Sequence, residues 1–308
     1  MGHELAGEPL TRRTVLGLMA AAAAGPSPAR AASSILTRPI PSSGEAIPVV
    51  GLGTWRTFDV GPAPAERAPL KTVLQRFVEL GGRVIDSSPM YGTAESVAGD
   101  LAAELAVTDK LFFATKVWTS GREAGVAQIE QSFRRFRTKR LDLLQIHNLL
   151  DWKTQLRTLR DFKQTGRIRY VGVTHYTASA YDELERVLRS EPLDFLQVNY
   201  SVGEREAERR ILPLAAERGI AVLVNRPFSE GSLFQRVRGK ALPAWASEIG
   251  CESWAQLLLK WVLANPAATC VIPATSRPEH LADNMKAGVG ALPDDKMRTQ
   301  ISVAALNS

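Results

Sequence analysis

The chain has 308 residues, of which 45% are hydrophobic, and a formal net charge of +6 at pH 7. This length fits one large domain of about 250 residues with a short extension. The mild basicity does not predict nucleic-acid binding, because the densest basic cluster, residues 134–140, is expected at a helix end and has no aromatic platform beside it. The two cysteines, Cys251 and Cys270, are too few for a disulfide framework, although one bridge stays open in an oxidising compartment.

Residues 1–31 resemble a cleavable export signal of the twin-arginine type. The pair Arg12-Arg13 precedes an apolar stretch that is too short for an ordinary membrane span, and small residues stand at Ala29 and Ala31, after which cleavage is predicted. This signal predicts the twin-arginine export machinery as a partner and a periplasmic mature protein without stable membrane insertion. A disordered leader is the alternative interpretation, and a protein whose signal is unused would stay in the cytoplasm.

Strand and helix patterns alternate through residues 32–308, which we predict to form one domain. The opening segment, 35–48, is rich in proline and serine and predicts a hairpin at the base of the fold. Eight apolar, strand-like runs follow, at residues 49–53, 83–86, 111–116, 141–147, 170–174, 195–199, 221–224 and 270–273. Because amphipathic stretches separate runs that are apolar on both faces, the predicted fold is α/β, a closed (β/α)8 TIM barrel. The longer interval before the last run predicts an inserted, lid-like loop over residues 229–250.

Three polar residues close successive strand-like runs: Asp86, Lys116 and His147, about one βα repeat of roughly 30 residues apart. The carboxyl ends of barrel strands share one mouth, and a turn sequence after Asp86 should lift Tyr91 beside them. A phenol has a pKa of about 10, which a nearby ammonium lowers, so Lys116 could activate Tyr91 while Asp86 holds Lys116 charged. With His147 as a second donor, the group could protonate a carbonyl oxygen while hydride reaches its carbon. Taken singly, the same residues also fit a rim ion pair, a turn aromatic and a core imidazole.

With these residues, the chain resembles the aldo-keto reductase family over residues 35–308. The resemblance rests on several motifs: Gly-Leu-Gly-Thr-Trp at 51–55, Ile-Asp-Ser-Ser at 85–88 with Tyr91-Gly92, Ala-Thr-Lys-Val-Trp at 114–118, Asp-Leu-Leu-Gln-Ile-His at 142–147, the run at 165–174, Gln-Val-Asn-Tyr-Ser at 197–201, Ile-Pro-Ala-Thr at 272–275 and Asp283-Asn284. It implies an NADPH-dependent reductase of aldehydes or ketones. The implied catalytic tetrad is Asp86, Tyr91, Lys116 and His147, with Tyr91 as general acid.

The resemblance also implies a set of nicotinamide-nucleotide contacts. They are Gly53, Thr54, Thr174, His175, Gln197, Asn225, Arg226, Phe228, Thr275, Arg277, Asp283 and Asn284. Two of these depart from the family pattern, since His175 replaces the Asn of a Ser-Asn pair and Asn225 stands where an aromatic ring usually stacks on the nicotinamide. Phe228 or Arg226 could compensate for that ring.

Nucleotide choice rests on Arg277. Reductases of this family that prefer NADPH usually carry a Lys and an Arg at the positions held here by Ala274 and His280. Arg277 opens the last predicted helix and could bind a 2′-phosphate with that helix's N-terminal amides, while Asp283 and Asn284 face the adenine. An ordinary surface residue at a helix start is the alternative, and NADH stays open as the cofactor.

The expected substrate is a small carbonyl compound with apolar groups, because Trp55, Met90 and Trp118 would line the mouth. We predict no metal, since a metal-dependent hydrolase on this barrel needs clustered histidines and the chain has four, one of them in the leader. A regulatory or interaction protein that binds the nucleotide on the same fold remains the alternative to an enzyme.

Overall fold

The computed structural model describes residues 34–307 together with Met1, and the predicted export signal lies outside the described residues. A hairpin comes first, in which β1 (Thr37–Pro39) pairs antiparallel with β2 (Ala46–Pro48). Ile40 and Ile47 of this hairpin are fully buried among barrel residues such as Phe112 and Phe195, which begin their strands. The hairpin therefore covers the N-terminal end of the barrel, as predicted.

Eight parallel strands form the barrel and follow one another in chain order. They are β3 (Leu52–Gly53), β4 (Val84–Asp86), β5 (Phe112–Val117), β6 (Leu141–His147), β7 (Ile168–Thr174), β8 (Phe195–Asn199), β9 (Ala221–Asn225) and β10 (Cys270–Val271). Bridges between Val50 and Val271 and between Gly53 and Ala274 join the first strand to the last. The predicted (β/α)8 architecture is confirmed.

Helices follow the strands and cover the outside of the barrel. They are α1 (Pro64–Glu79), α2 (Ala94–Glu104), α3 (Arg122–Arg135), α4 (Trp152–Gln164), α5 (Tyr181–Ser190), α6 (Ile211–Glu217), α7 (Ser232–Arg236), α8 (Trp254–Leu263), α9 (Pro278–Lys286) and α10 (Asp295–Leu306). In α1, proline fits the first turn because it has no N–H to leave unpaired, and Leu70, Val73, Leu74 and Phe77 form the buried stripe at helical spacing. None of the helices within residues 34–307 has the length and hydropathy needed to cross a membrane.

The predicted insertion over residues 229–250 lies between β9 and α8, but it is folded rather than an open loop. The segment forms a 3-10 turn (Ser229–Gly231), α7 and a second 3-10 segment (Ala244–Ile249). Leu233 and Ile249 are buried in the main core, so apolar anchors tie the segment to the barrel. The helix α7 has only five residues, which is too short to show a helical repeat in the sequence.

The basic cluster ends α3 and pairs with acids of α2, as a helix-end position predicts. Arg135 lies 3.0 Å from the buried Glu95, and Arg137 lies 2.7 Å from Asp100. Cys251 and Cys270 are both buried and unpaired, so the bridge left open by the sequence is not formed. Burial raises the pKa of the Cys251 thiol to about 11, which leaves it protonated at neutral pH.

Candidate active site

The carboxyl ends of the strands surround a cavity of 660 Å³. Asp86 ends β4 and His147 ends β6, and both line the cavity with Tyr91, which follows β4 in a turn. Lys116 of β5 lies beneath them and is fully buried. The structure thus brings together all four residues that the sequence predicted as a tetrad.

Asp86 and Lys116 form a buried ion pair at the floor of this cavity. The Lys116 Nζ lies 2.7 Å from the Asp86 Oδ2 and also donates to the Ser87 carbonyl oxygen at 2.7 Å. Burial acts to lower the pKa of Lys116, but Asp86 and the Tyr91 phenol outweigh it, so the pKa is raised. The lysine is therefore a charged ammonium at neutral pH.

Two glutamine side chains hold the second oxygen of the Asp86 carboxylate. Gln197 donates to Asp86 Oδ1 at 2.9 Å, and Gln145 donates to the same atom at 3.3 Å. Sequence reasoning missed Gln145, although its position two residues before His147 on β6 places both side chains on the same inward face. The carboxylate that supports Lys116 is consequently held on both of its oxygens.

Tyr91 packs against the ammonium and the imidazole. The Lys116 Nζ lies 5.2 Å from the centroid of the Tyr91 ring, and the His147 ring meets it edge-on with centroids 5.9 Å apart. Burial is the largest influence on the Tyr91 pKa and raises it; Lys116 acts in the opposite direction, and Asp86 adds to the rise. The net rise in the pKa of Tyr91 is opposite to the sequence expectation, because burial outweighs the ammonium that was expected to favour phenolate.

His147 is a neutral imidazole. Burial lowers its pKa to about 2, with further contributions from the Lys116 and His175 charges. Its Nδ1 lies 3.0 Å from the Ser88 hydroxyl, a contact that the sequence did not predict. A neutral imidazole can donate or accept one hydrogen bond at its other nitrogen but carries no charge into the cavity.

A polar cluster of Thr174, Gln197 and Asn225 lines the cavity beside Asp86. The Gln197 Oε1 accepts from the Thr174 hydroxyl and from the Asn225 Nδ2, each at 3.4 Å. The Asn225 Oδ1 is buried and has no partner among the described residues. These three residues present amide and hydroxyl groups toward one point, and one of those groups is unsatisfied.

Comparison with models of known protein families assigns the chain to a family. The model of the "Aldo/keto reductase family" matches residues 49–304. The chain belongs to the aldo/keto reductase family.

Individual relatives share less than a third of their residues with this chain. The methylglyoxal reductase YeaE of Escherichia coli is 29% identical over 248 residues, which cover 77% of this chain and 84% of the relative. A solved aldo/keto reductase of Klebsiella pneumoniae, in complex with NADP and acetate, superposes with a TM-score of 0.70 at 25% identity, covering 85% of this chain and 93% of that one. A glycerol dehydrogenase of Gluconobacter oxydans shares the fold, with a TM-score of 0.69 at 22% identity over 88% of this chain and 96% of that chain.

In this aldo/keto reductase, Gly53 and Thr54 line the cavity but already have structural partners. A Cβ at position 53 would lie 2.8 Å from the Ile272 carbonyl oxygen, so glycine is needed where the first and last strands close the barrel. Thr54 is fully buried, and its hydroxyl donates to the Asp86 carbonyl oxygen at 3.0 Å. Both residues support the floor on which Asp86 sits.

The residues predicted to replace the missing aromatic ring lie at the cavity wall. Arg226 donates to the Tyr176 carbonyl oxygen at 2.9 Å, and Phe228 packs on Phe234 with ring centroids 4.6 Å apart. All four residues line the cavity, Tyr176 and Phe234 without having been predicted. His175 does not line the cavity, and its Nδ1 accepts a hydrogen bond from the Tyr176 amide at 3.0 Å.

The four remaining predicted nucleotide residues do not line the cavity; Thr275 and Arg277 precede α9, and Asp283 and Asn284 lie in its second half. Arg277 is 62% exposed and pairs with Glu279 at 2.5 Å. Its backbone amide donates to the Thr275 hydroxyl at 3.1 Å. Asp283 accepts from the Ser253 hydroxyl at 2.7 Å, and Asn284 is buried. The structure therefore separates this group from the tetrad.

The predicted substrate residues lie together at the rim. Trp55, Met90 and Trp118 are each exposed, and all three line the cavity. Large apolar side chains left in solvent around one opening mark a binding surface rather than random surface composition. Within residues 34–307, no group of three or more His, Cys, Asp or Glu residues is arranged to hold a metal ion.

Proposed function

We propose that this protein reduces an aldehyde or ketone to an alcohol with hydride from NADPH. The observation that carries the proposal is the Tyr91 ring standing over the Asp86–Lys116 pair beside a neutral His147 in one cavity. Family membership, the likeness to a methylglyoxal reductase and the NADP complex of a solved relative support the same chemistry.

The cavity fits the nicotinamide carboxamide. A carboxamide carries both donors and an acceptor, and the unsatisfied Asn225 Oδ1 beside Thr174 and Gln197 offers a matching acceptor. These three residues would hold that group, and NADPH supplies the hydride when bound. Arg277, exposed at the start of α9, is proposed to take the 2′-phosphate by exchanging its Glu279 partner for a phosphate.

The chain's own residues supply the proton. Tyr91 is a neutral phenol that can donate its proton to the carbonyl oxygen as negative charge develops there. The Lys116 ammonium stabilises the phenolate that this transfer leaves, and Asp86 keeps the ammonium charged and oriented. The His147 ring packs edge-on against the Tyr91 ring, so a neutral N–H of the imidazole can position the same oxygen. Solvent then returns the proton to Tyr91.

The rim favours carbonyl compounds with bulky apolar groups. Exposed Trp55, Met90, Trp118, Tyr176 and Phe234 surround the opening. A hydrophobic substituent would bury part of these surfaces, which contributes about 25 cal/mol per Å². We therefore expect aromatic and long-chain aldehydes to be better substrates than glyoxylate-like acids.

The decisive experiment follows NADPH oxidation with a panel of aldehydes and ketones, for the parent and for Tyr91→Phe. The parent should oxidise NADPH only when a carbonyl is present, and Tyr91→Phe should lose at least about 100-fold in kcat, the scale of general acid catalysis. Nucleotide binding without turnover would favour a regulatory role on this fold. Full activity in Tyr91→Phe would remove Tyr91 as the proton donor.

We propose further that residues 1–31 are a twin-arginine export signal and that the mature protein is periplasmic. The support is the Arg12-Arg13 pair followed by an apolar stretch and by alanines at 29 and 31. Expression in a bacterium with this export route should give a periplasmic protein whose N-terminus is Ala32. The double variant Arg12→Lys, Arg13→Lys should remain uncleaved in the cytoplasm, and equal export of both forms would contradict the signal.

A further inference from the structure

Ser88 connects the proton donor and the imidazole of the proposed site through two different groups. Its carbonyl oxygen accepts from the Tyr91 amide at 2.9 Å and so shapes the turn that presents the phenol. Its hydroxyl lies 3.0 Å from the His147 Nδ1. The side chain is fully buried, so water does not compete for this hydrogen bond.

The hydrogen atoms around Ser88 can be assigned from its partners. The Met90 amide points its N–H at the Ser88 Oγ, at 3.4 Å, and therefore uses the oxygen as an acceptor. The serine's own hydrogen then needs an acceptor, and among the described residues the His147 Nδ1 is the one other atom that forms a hydrogen bond with the Ser88 Oγ. The arrangement that satisfies the serine hydrogen therefore makes Nδ1 the unprotonated nitrogen.

The imidazole is neutral, so it carries a single hydrogen. With Nδ1 accepting from Ser88, that hydrogen belongs to Nε2, the ring nitrogen that has no partner among the described residues. The opposite tautomer would direct a lone pair of Nε2 at the oxygen of a carbonyl substrate and repel it. Choice of tautomer thus decides whether the imidazole attracts or repels the reacting group.

We propose that Ser88 is a positioning residue that selects the Nε2–H tautomer of His147, so that the imidazole donates a hydrogen bond to the substrate carbonyl. This inference rests on the proposed function for its catalytic consequence. The tautomer itself is independent of turnover. The Ser88 hydroxyl acts on the substrate through His147, because Ser88 itself does not line the cavity.

The direct test is nitrogen NMR of 15N-histidine-labelled protein, with the His147 signals assigned by their loss in His147→Gln. The parent should carry its hydrogen on Nε2, and Ser88→Ala should shift His147 toward a mixture of tautomers. Ser132→Ala is the matched control, because Ser132 is equally buried but donates to Glu95 at 2.8 Å and does not line the cavity. A hydrogen on Nδ1 in the parent, or an unchanged tautomer in Ser88→Ala, would overturn the proposal.

Kinetics supply a second, independent readout. Ser88→Ala should lower kcat/KM about 10-fold, the scale of one neutral hydrogen bond, whereas Ser132→Ala should not. In a His147→Ala background the Ser88→Ala change should cost nothing more, because its effect passes through the imidazole. Additive losses would refute the positioning role. If the NMR result holds but no carbonyl is reduced by the parent, the tautomer assignment stands and the proposed function fails.

Discussion

Residue-scale chemistry at this site is decided by the competition between burial and charge. Lys116 and Tyr91 are both withdrawn from water, yet the pKa of each is raised, for different reasons. The ammonium gains from Asp86 at 2.7 Å, whereas the phenolate loses its hydration and also meets the negative charge of Asp86. The result is a protonated acid beside a charged stabiliser, which suits proton donation to a developing alkoxide.

These pKa shifts predict the pH profile of carbonyl reduction. The pKa of Tyr91 lies above its ordinary value of about 10, and His147 titrates near pH 2, so neither changes protonation between pH 5 and 9. We expect the same shape of kcat/KM against pH over that range in the parent and in His147→Gln. A limb near pH 6.5 that His147→Gln abolishes would show that the imidazole is charged during turnover.

The proposed selectivity for NADPH also depends on one residue, Arg277. Arg277→Ala should weaken NADPH binding about 10-fold or more and leave NADH binding nearly unchanged. The reason is that the guanidinium is proposed to bind the 2′-phosphate, which NADPH carries and NADH lacks. Fluorescence titration of each nucleotide measures the two dissociation constants. Arg122→Ala is the matched control, since Arg122 is also 62% exposed, is also ion-paired and also stands at the start of a helix. Equal losses for both nucleotides would remove Arg277 from this role.

At the scale of elements, the hairpin and the strands place the site at one end of the barrel. The β1–β2 hairpin covers the opposite end, where Ile40 and Ile47 fill the interior below the catalytic floor. Close approach of β3 to β10 at Gly53 completes the ring of strands. The polar side chains therefore converge at the end that the hairpin leaves open.

The hairpin should contribute to stability as a core element. Ile47→Ala removes a fully buried side chain and should lower the free energy of unfolding by about 2–5 kcal/mol, the range for large-to-small core changes. Val303→Ala, at a residue that is 52% exposed, should change it by less than about 0.5 kcal/mol. Urea unfolding followed by circular dichroism measures both. A hairpin that only rests on the surface would give similar small values for the two variants.

For the whole molecule, the buried His147 lowers the free energy of unfolding at acid pH. The folded state keeps His147 neutral down to a pH of about 2, whereas an unfolded histidine takes up a proton near 6.5. Below pH 6.5 the unfolded state therefore binds more protons, and this group's contribution to stability falls as pH falls toward 2. Replacing His147 with a residue that does not titrate removes this pH dependence of stability.

We expect His147→Gln to lose less stability than the parent between pH 6.5 and 4. Urea midpoints compared across this range measure the effect, and His280→Gln serves as the control at a histidine outside the cavity lining. Parallel pH dependences for the parent and His147→Gln would contradict a neutral, buried imidazole. The parent's larger loss of stability at acid pH would follow from keeping His147 neutral for hydrogen-bond donation.

Periodicity was sufficient to predict the strands. Asp86 and His147 lie at the ends of β4 and β6, and the hairpin lies within residues 35–48, where the prolines and serines predicted it. The folded character of the segment over residues 229–250 was missed because α7 has only five residues and because Leu233 and Ile249 are held by packing with the barrel. Gln145 and Ser88 belong to quoted motifs, but their roles were missed because a polar side chain gives no sign of its hydrogen-bond partner in the sequence.

By itself, the sequence determined the barrel, the order of its strands and the set of four residues at their ends, because strand periodicity and spacing are local properties of the chain. Only the tertiary structure decided the state of those residues. The raised pKa of Tyr91, the neutral His147 and the hydroxyl of Ser88 beside it depend on burial and on groups brought from other strands. Desolvation and hydrogen bonding act through space, so spacing along the chain could not reveal them.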